Sequence, residues 1–258
     1  MCGIVGIVGS GAVAPLLVEG IARLQYLGCD SCGLATLNEL GIEVLKDVGV
    51  VEEVDSKWNL TSAQGQLGIA HTRWATHGEV SQENAHPHLS CDRQFAVVHN
   101  GIISNYEKLK REVQRGGRHF FFSETDTEII THLLEEFCLR GASVEEAFVQ
   151  ALRRLEGTFA VAMISSDEPE KIFCAREKSP LILGIHSGTN FVGSDINAFL
   201  PYRRQTVPLD DGEYAVVSSD GYSIRAISAP EKRYKKVVES DWKIESVGNG
   251  AYEHYMKN

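Results

Sequence analysis

No run of apolar residues approaches the roughly 18 needed to cross a bilayer as a helix. The N-terminal stretch also lacks the basic opening of a secretory signal, its first cation being Arg23. The sequence therefore predicts neither membrane attachment nor export, and a cytoplasmic setting. Positive charge is scarce: 25 Lys and Arg stand against 35 Asp and Glu, for a formal net charge of -10. A nucleic-acid partner, which needs a basic face to neutralise phosphates, is not expected. The six cysteines, Cys2, Cys29, Cys32, Cys91, Cys138 and Cys174, read as scattered thiols of a reducing compartment rather than a disulfide framework. Cys29-Asp30-Ser31-Cys32 has the form of a redox pair or half a zinc site, but no second pair stands at ligand spacing. The four histidines His71, His77, His86 and His88 come without a His-Glu-x-x-His motif or a paired Cys and His, so no metal and no cofactor are expected. Internal repeats and low-complexity tracts are missing as well.

What is present is an ordinary globular composition: 258 residues, 43% hydrophobic and 23% charged, enough for one large domain or two small ones. Short, glycine-flanked apolar runs predict strands at 4–8, 33–37, 42–45, 68–71 and 95–99 in the first half, and at 159–164, 171–175, 181–186, 191–193, 213–217 and 222–227 in the second. Helical periodicity covers 13–26, 105–114, 125–139 and 144–155, with Ser123 or Thr125 and Ser143 as candidate N-caps. Runs of hairpin-like strands separated by helix clusters predict an α+β fold of antiparallel sheets covered by helices. Residues 229–258 are polar and weakly periodic and read as a linker. Gly9-Ser10-Gly11-Ala12-Val13-Ala14 fits a dinucleotide-binding fingerprint, but the strands and helices beyond it do not alternate as a doubly wound sheet requires.

Four segments carry candidate chemistry. Cys2 follows the initiator Met, whose removal would place a thiol and a free α-amine on one residue. Such an amine titrates near pH ~7.7–8 and can take the thiol proton and later return it to a leaving group. The polar loop His71-Thr72-Arg73-Trp74-Ala75-Thr76-His77-Gly78, followed by Asn84-Ala85-His86-Pro87-His88, offers an Arg able to grip a carboxylate in a bidentate fork. Val97-Val98-His99-Asn100-Gly101 ends a strand in Asn-Gly, either a plain turn or an amide side chain and a backbone N–H aimed at one oxyanion. Ser123-Glu124-Thr125-Asp126-Thr127-Glu128 sits at a helix start, where acids are favoured by capping and the dipole, and where Asp126 could instead receive a ligand ammonium.

In this order and spacing, these segments resemble the glutaminase domains of the glucosamine-6-phosphate synthases, class II glutamine amidotransferases with an N-terminal nucleophile. The resemblance covers 2–228 as an amidotransferase domain, and 252–257 resembles the start of the family's interdomain linker, so that 229–258 would lead toward C-terminal sugar-phosphate isomerase domains. It implies a four-layer αββα sandwich of two antiparallel sheets. It further implies that Cys2 attacks the side-chain amide of L-glutamine, that Asn100 and Gly101 hold the oxyanion, and that Arg73 and Asp126 take the substrate's α-carboxylate and α-ammonium. Trp74, Thr76, His77 and His86 would belong to a loop closing over the substrate. In the whole enzyme the ammonia would convert fructose 6-phosphate to glucosamine 6-phosphate, and a full-length homodimer and an isolated monomeric domain are expected. The alternatives are an amidotransferase for another acceptor and a catalytically silent glutamine-binding module. One segment departs from the family: Tyr26-Leu27-Gly28-Cys29-Asp30-Ser31-Cys32-Gly33 stands where Tyr-Arg-Gly-Tyr-Asp-Ser-Ala-Gly is common.

Overall fold

The computed structural model describes residues 2–75, 78–202, 205–229 and 231–239. The chain runs from β1 (Gly3–Gly9) into helix α1 (Ala14–Leu24), then through the hairpin β2 (Ser31–Asn38) and β3 (Gly41–Val48), helix α2 (Val51–Trp58) and β4 (Leu67–Arg73). Next come β5 (His88–Leu89), β6 (Phe95–Ile103) and three helices, α3 (Tyr106–Gln114), α4 (Glu128–Leu139) and α5 (Val144–Arg154). The second half is β7 (Gly157–Ser165), β8 (Ile172–Glu177), β9 (Ile182–Gly184), β10 (Thr189–Gly193), β11 (Gln205–Pro208), β12 (Glu213–Val217), β13 (Tyr222–Ala226), β14 (Lys232–Arg233) and β15 (Val238–Glu239).

These strands make two antiparallel sheets. One has the order β15-β11-β9-β10-β1-β4-β2-β3, the other β14-β13-β12-β8-β7-β6-β5. Period-two alternation decides what each face meets. In β1, Ile4 and Val8 enter the layer between the sheets, whereas Val5 and Ile7 face α1. In β7, Ala160, Ala162 and Ile164 enter that layer, whereas Phe159, Val161 and Met163 lie under α3, α4 and α5. Small residues between the sheets, among them Ala35, Ala96, Ala160, Ala162 and Ala215, let them approach closely. The larger Phe148, Phe173 and Leu134 fill the helix-covered side. The result is the α+β sandwich expected from the pattern, in the layer order helix, sheet, sheet, helix. No helix among the described residues is long and apolar enough to cross a membrane.

Several local expectations change. Helix α2 was not legible, because its eight residues bury only Val51 and Val54, too few to mark a period. Strand β11 has only four residues and ends in Pro208. Ser143 caps α5 in a full capping box with Glu146, but neither Ser123 nor Thr125 caps α4. The cap position is Thr127, whose side chain makes no capping bond, while Ser123 Oγ donates to Glu128 and Thr125 Oγ1 meets His88 Nε2 at 3.0 Å. The glycine-rich turn at 9–14 joins β1 to α1, but β1 is antiparallel to both its neighbours, so no parallel βαβ unit exists there to cradle a dinucleotide. Within 229–258, two short pieces pair at the sheet edges, β14 with β13 and β15 with β11.

Candidate active site

The candidate residues converge at one end of the sandwich because β1 and β4 are antiparallel, which sets the start of one beside the finish of the other. Gly3 pairs with Thr72, and its amide donates to Thr72 Oγ1 at 3.1 Å. A Cβ at Gly3 would lie 2.7 Å from both Leu24 Cβ and Thr72 Oγ1, so glycine is required next to Cys2. One step further, Ile4 N donates to Ser194 Oγ at 2.9 Å. Cys2 is thereby fixed at the mouth of β1, half-buried. Its Sγ accepts the Trp74 backbone N–H at 3.3 Å. Burial pushes the Cys2 thiol up, while the Trp74 amide and the charge of Arg73 pull it back down.

Asn100 reaches this mouth from β6 in the other sheet. Its Nδ2 donates to the Cys2 carbonyl at 2.8 Å, and its Oδ1 accepts from His71 Nε2 at 2.9 Å. Because Asn100 needs a donor there, His71 carries its proton on Nε2. Gly101 follows with φ +136°, where a Cβ would lie 2.0 Å from the Thr158 carbonyl. Both the backbone angle and the space demand glycine. Asp126 lies against the same strand end, accepting Ile103 N–H at 2.7 Å, with Oδ1 4.0 Å from His99 Nδ1.

Behind the mouth lies a packed imidazole cluster that sequence reading did not assemble. The His71 and His86 rings are 4.3 Å apart and those of His86 and His88 4.6 Å. His86 Nε2 and His99 Nδ1 both meet Thr127 Oγ1, at 2.8 and 3.0 Å. Burial is the leading cause that holds all four rings neutral, with His71 pushed down to about 3. His86, expected on the segment of a loop over the substrate, lies in the loop between β4 and β5 and is only 4% exposed, its ring packed between those of His71 and His88. Thr76 and His77 lie outside the described residues.

The loop between β4 and β5 is held at both ends. Asn84 Nδ2 donates to the Glu79 carbonyl and to Glu124 Oε2, both at 3.0 Å, and Glu124 N returns a bond to Asn84 Oδ1 at 2.8 Å. Lys46 of β3 donates to the carbonyls of Glu83, Ala85 and Pro87, and burial lowers its ammonium to about 8. Asp30 accepts from the Ala75 amide. Arg73, 4% exposed, donates to the Glu79 carbonyl at 3.2 Å, while Trp74 stays 53% exposed and lies against Gly28, where a Cβ would come within 2.8 Å of its ring. Lys46 escapes sequence reading because a Lys on a strand is an ordinary surface choice, and the pairing of Asn84 with Glu124 escapes it because the two residues lie in distant segments. Leu27 and Cys29, two of the three departures from the family pattern, pack as partly buried apolar groups beside α1 and α2, and the third, Cys32, is fully buried.

A cysteine at the mouth of a central strand, between two antiparallel sheets sheathed by helices, is the arrangement of an N-terminal-nucleophile sandwich. Solved structures carry the same fold. Glutamine phosphoribosylpyrophosphate amidotransferase from B. subtilis superposes with TM-score 0.76 at 23% identity, over 88% of this chain and 49% of that one. The allosteric regulatory enzyme of purine biosynthesis gives 0.74 at 25% identity, over the same shares of each chain. Residues 71–201 match the model of the glutamine amidotransferase domain, and the chain belongs to that family. It is 46% identical over 256 residues to glutamine–fructose-6-phosphate aminotransferase (isomerizing) of Pyrococcus horikoshii, covering 99% of this chain and 43% of the relative. The enzyme of the same name from Methanothermobacter thermautotrophicus is 45% identical over 258 residues, with the same coverage. The chain thus spans less than half the length of these curated relatives.

Proposed function

We propose that this domain hydrolyses L-glutamine to glutamate and ammonia, with Cys2 as nucleophile once Met1 is removed. The freed α-amine takes the thiol proton, and Sγ attacks the carboxamide carbon. Asn100 Nδ2 and the Gly101 amide hold the resulting oxyanion. The proton then passes to the leaving nitrogen, ammonia departs and a thioester remains, which water hydrolyses to glutamate. Arg73 takes the substrate's α-carboxylate and Asp126 its α-ammonium, so that free glutamine is preferred over glutamine within a peptide. Trp74, Thr76 and His77 close over the bound molecule and keep water from the thioester, with His86 at the base of their loop. The observation that supports this reading most directly is the meeting of Cys2, the Trp74 amide and Asn100 at one mouth, within 3.3 and 2.8 Å. In a full-length protein, residues 2–228 would act as the glutaminase and the segment 229–258 would lead to isomerase domains. There the ammonia would convert fructose 6-phosphate to glucosamine 6-phosphate in a cytoplasmic homodimer, the separate domain being a monomer.

Intact-mass analysis before and after 6-diazo-5-oxo-norleucine, with glutamate release measured on the same sample, tests the proposal. A chain lacking Met1, a single adduct mapping to Cys2 and glutamate release are expected, with the adduct and the glutamate release, but not Met1 removal, abolished by Cys2→Ala. A processed chain that binds glutamine yet gives neither adduct nor glutamate would overturn the catalytic reading in favour of a silent binding module.

A further inference from the structure

Away from the Cys2 mouth, a second polar cluster forms where the turn between β5 and β6, the segment before α4 and α4 itself meet. Cys91 comes from the turn, His119 from the segment, and His132 and Glu135, three residues apart, from α4. His119, His132 and Glu135 are buried and Cys91 half-buried, and one ligating atom of each lies within 4.8 Å of all the others. Cys91 Sγ stands 3.7 Å from His132 Nδ1, and His119 Nδ1 stands 3.6 Å from Glu135 Oε2. With zinc–ligand bonds of about 2.0–2.3 Å, the ligands of a tetrahedral site stand about 3.3–3.8 Å apart, the spacing of these two pairs.

The cluster does not satisfy itself. His119 is 4% exposed, and its Nε2 is bonded to Glu136 Oε1 at 2.9 Å, yet its Nδ1 has no hydrogen-bond partner. Since Glu136 can only accept, the proton sits on Nε2, and Nδ1 presents a bare lone pair toward the Glu135 carboxylate. His132 Nε2 faces Glu128 Oε1 at 3.6 Å. Each imidazole therefore has a carboxylate behind it, the outer support that fixes the tautomer and orientation of metal-bound histidines.

We propose that Cys91, His119, His132 and Glu135 form a structural site for one zinc ion. A thiolate with two imidazoles and a carboxylate suits zinc, and four protein ligands fill its tetrahedral shell, leaving no position for substrate. Binding releases the Cys91 proton to solvent and ties the β5–β6 turn and the segment before α4 to the helix. Glu128 links the ion to the candidate active site, because its other oxygen accepts from Ser123 at the head of the segment that carries Asp126. Sequence inspection overlooks the site because its ligands lie far apart in the chain and include only one cysteine, so no spacing motif marks them.

The test is metal analysis and cobalt substitution of the purified chain, neither of which depends on glutamine turnover. Zinc at one equivalent per chain is expected. After chelation, added Co2+ should give the strong visible bands of a tetrahedral site together with thiolate-to-cobalt charge transfer. Both should be lost in Cys91→Ser and kept in Cys29→Ser/Cys32→Ser. Should Cys91→Ser fail to fold, zinc-edge X-ray absorption on the unsubstituted chain is expected to give one sulfur and three nitrogen or oxygen ligands. A folded chain that takes up no stoichiometric zinc or cobalt, bands that survive Cys91→Ser, or a shell with no sulfur or two would each overturn the site.

Discussion

Replacing Asn100 by Ala removes two bonds that the two sheets share, and their consequences are separable. The Nδ2 donor lies 2.8 Å from the Cys2 carbonyl, and the Oδ1 acceptor lies 2.9 Å from His71 Nε2. His71 is fully buried, so its N–H is left without an acceptor, at a cost of about 1–3 kcal/mol. The Cys2 carbonyl can recruit water and adds less, giving an expected stability loss of about 2–3 kcal/mol. For a chain of this size that lowers Tm by about 4–12 °C. The rate effect is larger if the same amide stabilises the oxyanion: loss of one such donor costs about 2.7–4 kcal/mol, or 10²–10³ in kcat, with KM little changed. Asn100→Asp keeps an acceptor for His71 but cannot donate, so it should recover more stability than rate. Glutamate release and thermal unfolding, measured together on both variants, separate the two roles. A folded Asn100→Ala protein with kcat within tenfold of the parent would refute the oxyanion assignment.

Acid should destabilise the fold through the imidazole cluster. Burial lowers the folded-state affinity of His71, His86 and His88 for protons, whereas unfolded histidines titrate near ~6.5. The unfolded chain therefore binds more protons below that value, and stability, complete above pH ~6.5, falls as pH drops. His71 alone, pushed down to about 3, accounts for up to about 2 kcal/mol between pH 6.5 and 5. Urea unfolding at pH 7.5 and 5 checks this, and equal stability at both would contradict a buried neutral cluster. Ser143→Ala should cost about 1 kcal/mol by removing the capping box of α5, lowering Tm by about 2–4 °C without altering glutamate release.

Much of the fold is written locally. Period-two apolar runs at β1, β6 and β7 mark strands without reference to anything distant, and Ser143 with Glu146 marks the start of α5, because both signals depend only on neighbours in the chain. Helix α2 and strand β11 are not legible, since each buries too little to leave a period and each exists because a tertiary neighbour covers it. The true start of α4 was misplaced for a related reason: Ser123 and Thr125 are good caps in isolation, but Glu128 and His88 offer them better partners.

The sequence by itself marked the segments with candidate chemistry: Cys2 before a strand, the Arg73-Trp74 loop, Asn100-Gly101 at a strand end and Asp126 before a helix. Residue types and short spacings suffice to mark them as candidates, because each is a local arrangement of donors and acceptors, and their order along the chain carries the family resemblance. Only the tertiary structure decided how they meet. Antiparallel pairing of β1 with β4 brings the Trp74 amide to the Cys2 thiol, and the stacking of two sheets delivers Asn100 from the opposite layer. The same packing gathered His86, from the loop between β4 and β5, into a buried imidazole cluster with His71 and His88 and drew Cys91, His119, His132 and Glu135 together. Distances between residues so far apart in sequence are fixed by the burial of apolar faces, and that burial is a property of the whole chain.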